Sequence, residues 1–175
     1  MSPFDAAAVG RRVLKVEAEA LTQMGEGLDG AFSRAVETLH GIRGRVVCTG
    51  VGKSGHVARK IAATLASTGK PAIFVHATEA SHGDLGMIGQ DDAVLALSKS
   101  GETKELADVV AYAKRFGIPL LGMTARAESA LGRAADILLQ LPDAPEAAAD
   151  VDAPTTSTTL QIALGDALAV ADRKS

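Results

Sequence analysis

The stretch "RVVCTGVGKSGHVARK", residues 45–60, joins an apolar run of β type to a glycine turn and then to a stretch with helical spacing. A chain that leaves a strand through Gly50, Gly52 and Gly55 and enters a helix offers free backbone N–H groups to an anion. Three readings compete for that anion. A Walker A loop needs a glycine where Val47 stands, in mid-strand, and so fails. The dinucleotide fingerprint G-x-G-x-x-G is met, but it also wants an acid at the end of the second strand to bind a ribose. That strand ends in His76, and Glu79 comes three residues late, in a loop. The nicotinamide reading is strained. The third reading, a phosphate held between two loops, gains from "SKSGETKE" at 98–105. This second loop also leaves a strand and enters a helix, and it supplies Ser98, Ser100 and Thr103 as hydroxyl donors. N-capping is the competing explanation, but a cap accounts for one hydroxyl at one helix start. It does not account for three here plus Ser54 in the first loop.

The rest of the chain says how the two loops meet. Residues 5–41 have apolar side chains at helical steps (Val9, Val13, Val16, Ala20, Met24, then Leu28, Phe32, Val36, Leu39). Glycines 25, 27 and 30 divide them into two helices. Five short β-type runs follow, "RVVCT", "PAIFVH", "AVLALS", "PLLGMT" and "ILLQL", with alanine-rich amphipathic stretches between most of them. Strands that alternate with helices and are apolar throughout imply a parallel sheet covered on both faces. The expected fold is α/β, a three-layer αβα sandwich with a five-stranded parallel sheet of flavodoxin-like order 2-1-3-4-5. One domain spans 1–175, with an N-terminal helical segment at 1–41 and an αβα core at 42–175. In that order strands one and three are neighbours whose helices depart to opposite faces, so a crevice opens between the two loops. The long connection "PDAPEAAADVDAP", 142–154, precedes the last helix, and loops of that length are disproportionately functional.

Bulk properties narrow the partners. The chain has 175 residues, 47% hydrophobic and 22% charged, with a net charge of −3; one compact domain with a full core is expected. Aromatics are only 3%, so there is little on which bases could stack, and the cations are scattered. Nucleic acid is not expected as a partner. The single cysteine, Cys48, reads as a small buried hydrophobe and excludes an internal disulfide, as suits the cytoplasm. No apolar run approaches the ~20 residues needed to span a bilayer, and the N-terminus carries charges where a signal peptide needs its apolar core. A soluble cytoplasmic protein is expected, with no membrane partner.

Taken together, "GVGKSGHVARKIAATLASTGKPAIFVH", "EASHGDLGMI", "SKSGETKE", "RAESALGRAADI" and "APTTSTTLQIALGDALAVA" resemble the sugar-isomerase (SIS) domain of arabinose-5-phosphate isomerases, from about residue 10 onward. The resemblance implies interconversion of D-arabinose 5-phosphate and D-ribulose 5-phosphate toward Kdo and lipopolysaccharide. It implies a homotetramer with active sites shared between subunits, and no required cofactor. Its catalytic positions fall on Lys53, Glu105 and Glu146; its substrate-binding positions on Gly52, Ser54, Gly69, His82, Ser98, Ser100, Gly101 and Thr103. His76 matches a position that takes an inhibitory zinc, although the spacing of His76, Glu79, His82 and Asp84 fits no metal motif.

Aldose–ketose isomerisation needs a proton shuttle, a cation or donor facing the developing oxyanion, and a grip on the phosphate. Lys53 would face the phosphate or the oxyanion. Glu105 lies in a first helical turn, where the macrodipole alone favours a carboxylate, so a structural role competes there. Glu102 has the same structural reason and no family role. Glu146 has no helical reason for its place and is the expected proton shuttle. The run Thr155–Thr159 is expected to cap the last helix. The chain departs from the family at Pro145 and "AAADVD" around Glu146, at Lys70, and in ending before a His-Pro-Gly-Gly segment and paired CBS domains. Those departures keep two alternatives open: a non-catalytic sugar-phosphate or nucleotide-sugar regulatory module, and an isomerase of another phosphosugar.

Overall fold

Asp5 and Asp29 begin the helical segment by accepting hydrogen bonds from Ala8 N and Ala31 N, at 2.9 and 2.8 Å. Each carboxylate satisfies an N–H that the first turn leaves without a partner. The structure, a computed structural model, describes residues 4–148 and 153–173. Helices α1 (Ala6–Glu26) and α2 (Gly30–Gly41) break where the glycines predict. They are followed by β1 (Val46–Gly50), α3 (Gly52–Ser67), β2 (Ala72–Phe74), α4 (Ala77–Ser81), β3 (Ala93–Leu97), α5 (Ala107–Phe116), β4 (Leu120–Thr124), α6 (Ala130–Ala134), β5 (Ile137–Gln140) and α7 (Thr156–Ala171). Short 3-10 turns at Asp84–Met87 and Lys104–Leu106 precede β3 and α5.

The sheet has the expected order, β2-β1-β3-β4-β5, and every pair is parallel. Alternation along each strand sorts its side chains into two cores. Val46, Cys48, Leu95, Leu97, Leu121 and Met123 pack with α1, α2, α3 and α7; Val47, Val94, Ala96 and Leu120 pack with α4, α5 and α6. Both faces are apolar because both are covered. Thus α3, which follows β1, lies on one face, and α5, which follows β3, lies on the other. Cys48 is fully buried, and burial pushes its thiol up to about 12, so it is a packing residue and not a nucleophile.

Two local expectations are corrected. The second strand is three residues and not the whole of "PAIFVH": Val75 N still donates to Cys48 O, but His76 already caps the next helix. Glu79, read as a loop residue, lies within that helix, α4. On α1, Val9 and Leu14 remain exposed while Ala20 and Met24 are buried, so only the C-terminal half of this helix meets the core.

The tightest helix contact is between α3 and α7. A Cβ built on Gly165 would stand 2.4 Å from both Cδ1 and Cγ1 of the fully buried Ile61. Gly165→Val therefore forces α7 away from α3, at a cost of about 1–3 kcal/mol for overpacking. Urea unfolding checks this; an unchanged midpoint would show that the two helices are not held at this separation.

Candidate phosphate-binding site

Gly50 ends β1 directly beside Leu97, which ends β3. The two glycine-containing loops therefore leave neighbouring strands at the same edge of the sheet, the topological switch point where α/β folds bind ligands. In the first loop two glycines are required by space. A Cβ on Gly55 would come within 2.9 Å of Gly50 O, and one on Gly50 within 3.0 Å of the Ser54 backbone. The start of α3 can lie against the strand end only without those atoms. Gly52 has φ +58, the left-handed region. Val51 occupies the N-cap of α3 in extended conformation and makes no side-chain cap. Gly55 N is the first amide of this turn to bond back, to Val51 O at 3.2 Å. The N–H groups of Gly52, Lys53 and Ser54 thus precede the first helical hydrogen bond and receive no side-chain acceptor among the described residues.

The second loop is built by its own hydroxyls. Ser98 Oγ accepts from Gly101 N (3.0 Å) and shares a hydrogen bond with Thr103 Oγ1 (2.7 Å); Ser100 Oγ accepts from Glu102 N (3.2 Å). These bonds hold the turn, which is the local role weighed against phosphate binding, but they leave protons to donate. One hydroxyl of the Ser98–Thr103 pair gives its proton to the other, which keeps its own, and Ser100 acts only as an acceptor. Gly101, at φ +69, is fixed from outside: a Cβ there would overlap Ser129 Oγ. Glu102 is structural, as expected, with Oε1 accepting from Ala130 N at the start of α6 (2.9 Å).

The three expected catalytic side chains have different surroundings. Lys53 is exposed in the first turn of α3, and Glu105 is exposed in the 3-10 turn before α5; neither has a side-chain partner among the described residues. Glu146 is 18% exposed and fully engaged. Its Oε1 receives Lys99 Nζ at 2.6 Å, and its Oε2 receives Thr155 N (2.8 Å), Thr155 Oγ1 (3.1 Å) and Ser157 N (3.2 Å). Glu146 therefore does have a helical reason for its place, contrary to the sequence reading: it caps α7. The hydroxyl run expected to do so does not; Thr155 makes no side-chain cap and its Oγ1 accepts instead from Ala147 N (2.9 Å). Burial would raise the Glu146 carboxyl, but the Lys99 ammonium and the Ser157 and Thr155 donors outweigh it and hold the group down at about 2. Lys99 was missed from sequence, where nothing links it to a residue 47 positions on.

Of three other expected positions, one is remote from the two loops and two, His76 and His82, bound α4, which packs against the Lys104–Leu106 turn that follows the second loop. Gly69, at φ +95, is at the opposite end of the 16-residue α3, about 25 Å from the loops at 1.5 Å per residue. Only in a neighbouring copy of the chain could it come near them. His82 is exposed at the end of α4. His76 uses Nδ1 to accept from Thr78 N (3.2 Å), leaving Nε2, and among the described residues no group of three His, Cys, Asp or Glu could hold a metal. The middle of the long loop, 149–152, lies outside the described residues.

The depressed Glu146 carboxyl fixes a pH dependence. A folded value of about 2 against the ordinary 4.5 means that the ionised carboxylate stabilises the fold above pH 4.5, and that this contribution is lost as pH falls toward 2. Chemical unfolding of wild type and Glu146→Gln should differ most at about pH 6 and converge as pH approaches 2. A stability difference that stays constant across this window would contradict the ion-paired cap.

Comparison with known proteins gives the family. The SIS domain family matches residues 39–171. The arabinose 5-phosphate isomerase KdsD of Yersinia pestis is 51% identical over 162 residues, 93% of this chain and 49% of that protein. KdsD of Escherichia coli K12 is 46% identical over 168 residues, 96% of this chain and 51% of its own length. The chain thus spans about half the length of these curated relatives. Among solved structures, Escherichia coli CFT073 c3406 in complex with arabinose 5-phosphate superposes with a TM-score of 0.93 at 38% identity, covering 99% of this chain and 92% of that one. A sheet of order 2-1-3-4-5 with two anion-ready loops at its switch point, matched over most of its length, places this chain in the SIS domain family.

Proposed function

We propose that this chain is an aldose–ketose isomerase that interconverts D-arabinose 5-phosphate and D-ribulose 5-phosphate. The observation that carries the reading is the uncapped start of α3 beside the Ser98–Thr103 loop. The likeness to proteins named arabinose 5-phosphate isomerase, and to one solved with that sugar phosphate bound, supports the choice of sugar. In this reading the amides of Gly52–Ser54 and the hydroxyls of Ser54, Ser98, Ser100 and Thr103 take the phosphate. The anchored sugar then lies across the edge of the sheet.

Removal of the C2 proton of the aldose, with a proton delivered to the C1 oxygen, gives an enediol. Return of a proton to C1 and loss of the O2 proton complete the ketose. The reaction is redox-neutral. Lys53, without a side-chain partner among the described residues, is assigned to the developing oxyanion, and Glu146 to the proton shuttle. Glu105, exposed next to the second loop, is the auxiliary carboxylate. With Gly69 so far from the loops in one chain, a homotetramer with shared sites is part of the proposal. So is a place in the cytoplasm, supplying Kdo and lipopolysaccharide synthesis. No helix among the described residues is long and apolar enough to cross a membrane.

Incubation of the protein with arabinose 5-phosphate should yield ribulose 5-phosphate, and Lys53→Ala should lower kcat/KM by roughly 10²-fold or more, the usual loss when an oxyanion donor is removed. Binding of the sugar without any ketose, in wild-type protein, would instead favour the regulatory module.

A further inference from the structure

Lys99 stands in the middle of the second loop, yet its charge is engaged elsewhere. Its backbone is fixed, because the Lys99 carbonyl accepts from Thr124 Oγ1 (3.0 Å) and Ala125 N (3.1 Å). Its side chain is 42% exposed and ends on Glu146 Oε1. Glu146 does not depend on that contact for its position, since Oε2 alone takes three donors from the start of α7. A flexible cation on a fixed backbone thus pairs with a carboxylate, while its sequence neighbours, Ser98 and Ser100, belong to the proposed anion site.

We propose that Lys99 is an anion-gated counter-ion: a phosphate group bound in the 98–103 loop draws the ammonium off Glu146 Oε1, and Oε2 keeps the carboxylate seated on α7. The proposal rests on the reading of the two loops as a phosphate site. The direction follows from charge, because a phosphate dianion attracts a nearby cation more strongly than a single carboxylate does at equal distance and screening. The consequence at Glu146 also follows. A carboxylate that loses its cation and gains a neighbouring dianion becomes a stronger base. Before substrate binds, Lys99 neutralises the shuttle assigned to the isomerisation; substrate itself exposes Oε1. No other charged side chain bonds Glu146 among the described residues, so the exchange involves one cation and two anions.

Linkage makes this testable without turnover, since two anions that compete for one cation weaken each other's binding reciprocally. Inorganic phosphate is the probe, and its affinity is measured by calorimetry at about pH 7.5, where phosphate is mostly the dianion, for wild type, Glu146→Gln, Lys99→Ala and the double variant. Glu146→Gln frees Lys99 and should bind phosphate at least about 5-fold tighter, the lower end of typical coupling. Lys99→Ala should bind more weakly, and in its background Glu146→Gln should tighten binding clearly less than it does in wild type, since only the direct repulsion between carboxylate and phosphate is then removed. A cap with no exchange role predicts the opposite for Glu146→Gln: equal or weaker binding as α7 loosens. That result overturns the proposal. If Glu146→Gln does not fold, Lys99→Ala against Lys99→Arg decides it. Affinity lost in the first and retained in the second supports the exchange, and affinity unchanged in both overturns it. Failure of wild type to bind any phosphate overturns the phosphate-site reading along with it, whereas binding without coupling removes the exchange alone.

Discussion

Among the described residues the first N–H groups of α3 have no acceptor, and the proposed phosphate site depends on those free donors. Five other helices have such acceptors, whereas α5, like α3, has no side-chain cap. Asp5, Asp29, His76 and Ser129 accept from first-turn amides of α1, α2, α4 and α6, and Glu146 reaches across a loop to do so for α7. At α3 the cap is a valine. An uncapped turn costs about 1 kcal/mol relative to a capped one, and the cost is small because water can serve. What is retained is a set of aligned donors at the positive end of a 16-residue helix, at the edge where β1 and β3 part.

The second loop shows the complementary solution. There the hydroxyls first satisfy backbone amides, and so fix a loop that would otherwise have to be ordered when a ligand arrives. Gly101 is pressed against Ser129, and Glu102 is tied to α6, so the loop is anchored to the β4 side of the sheet. Preorganised donors cost nothing to reorient when charge appears. The long loop before α7 enters the same arrangement through Glu146, whose carboxylate serves a helix and a lysine of the second loop together. A single carboxylate thereby connects the second loop to the helix that packs most closely on α3.

Much of this was readable from residues alone, for physical reasons. Apolar runs of four to five residues separated by alanine-rich helical stretches allow little besides a covered parallel sheet, and the strand order emerged as expected. The glycines of the first loop and the hydroxyls of the second marked the candidate site because such residues suit a place where backbone approaches an anion, and the structure brings the two loops to one edge of the sheet. The shortness of β2 and the presence of α4 were not legible: five residues have no helical period, and the helix starts because a histidine ring caps it. Nor was the role of Glu146, since its partners Lys99, Thr155 and Ser157 are brought to it by sheet topology and not by spacing. A charge in a long loop looks idle until the helix it serves is in view.

The central claim is that two turns far apart in sequence hold one phosphate between them. The most direct measurement is the crystal structure of the chain with arabinose 5-phosphate. The account predicts the phosphate within hydrogen-bonding distance of amides in Gly52–Ser54 and of a hydroxyl among Ser98, Ser100 and Thr103. A phosphate bound by only one of these turns, or bound away from the β1–β3 edge, would contradict it.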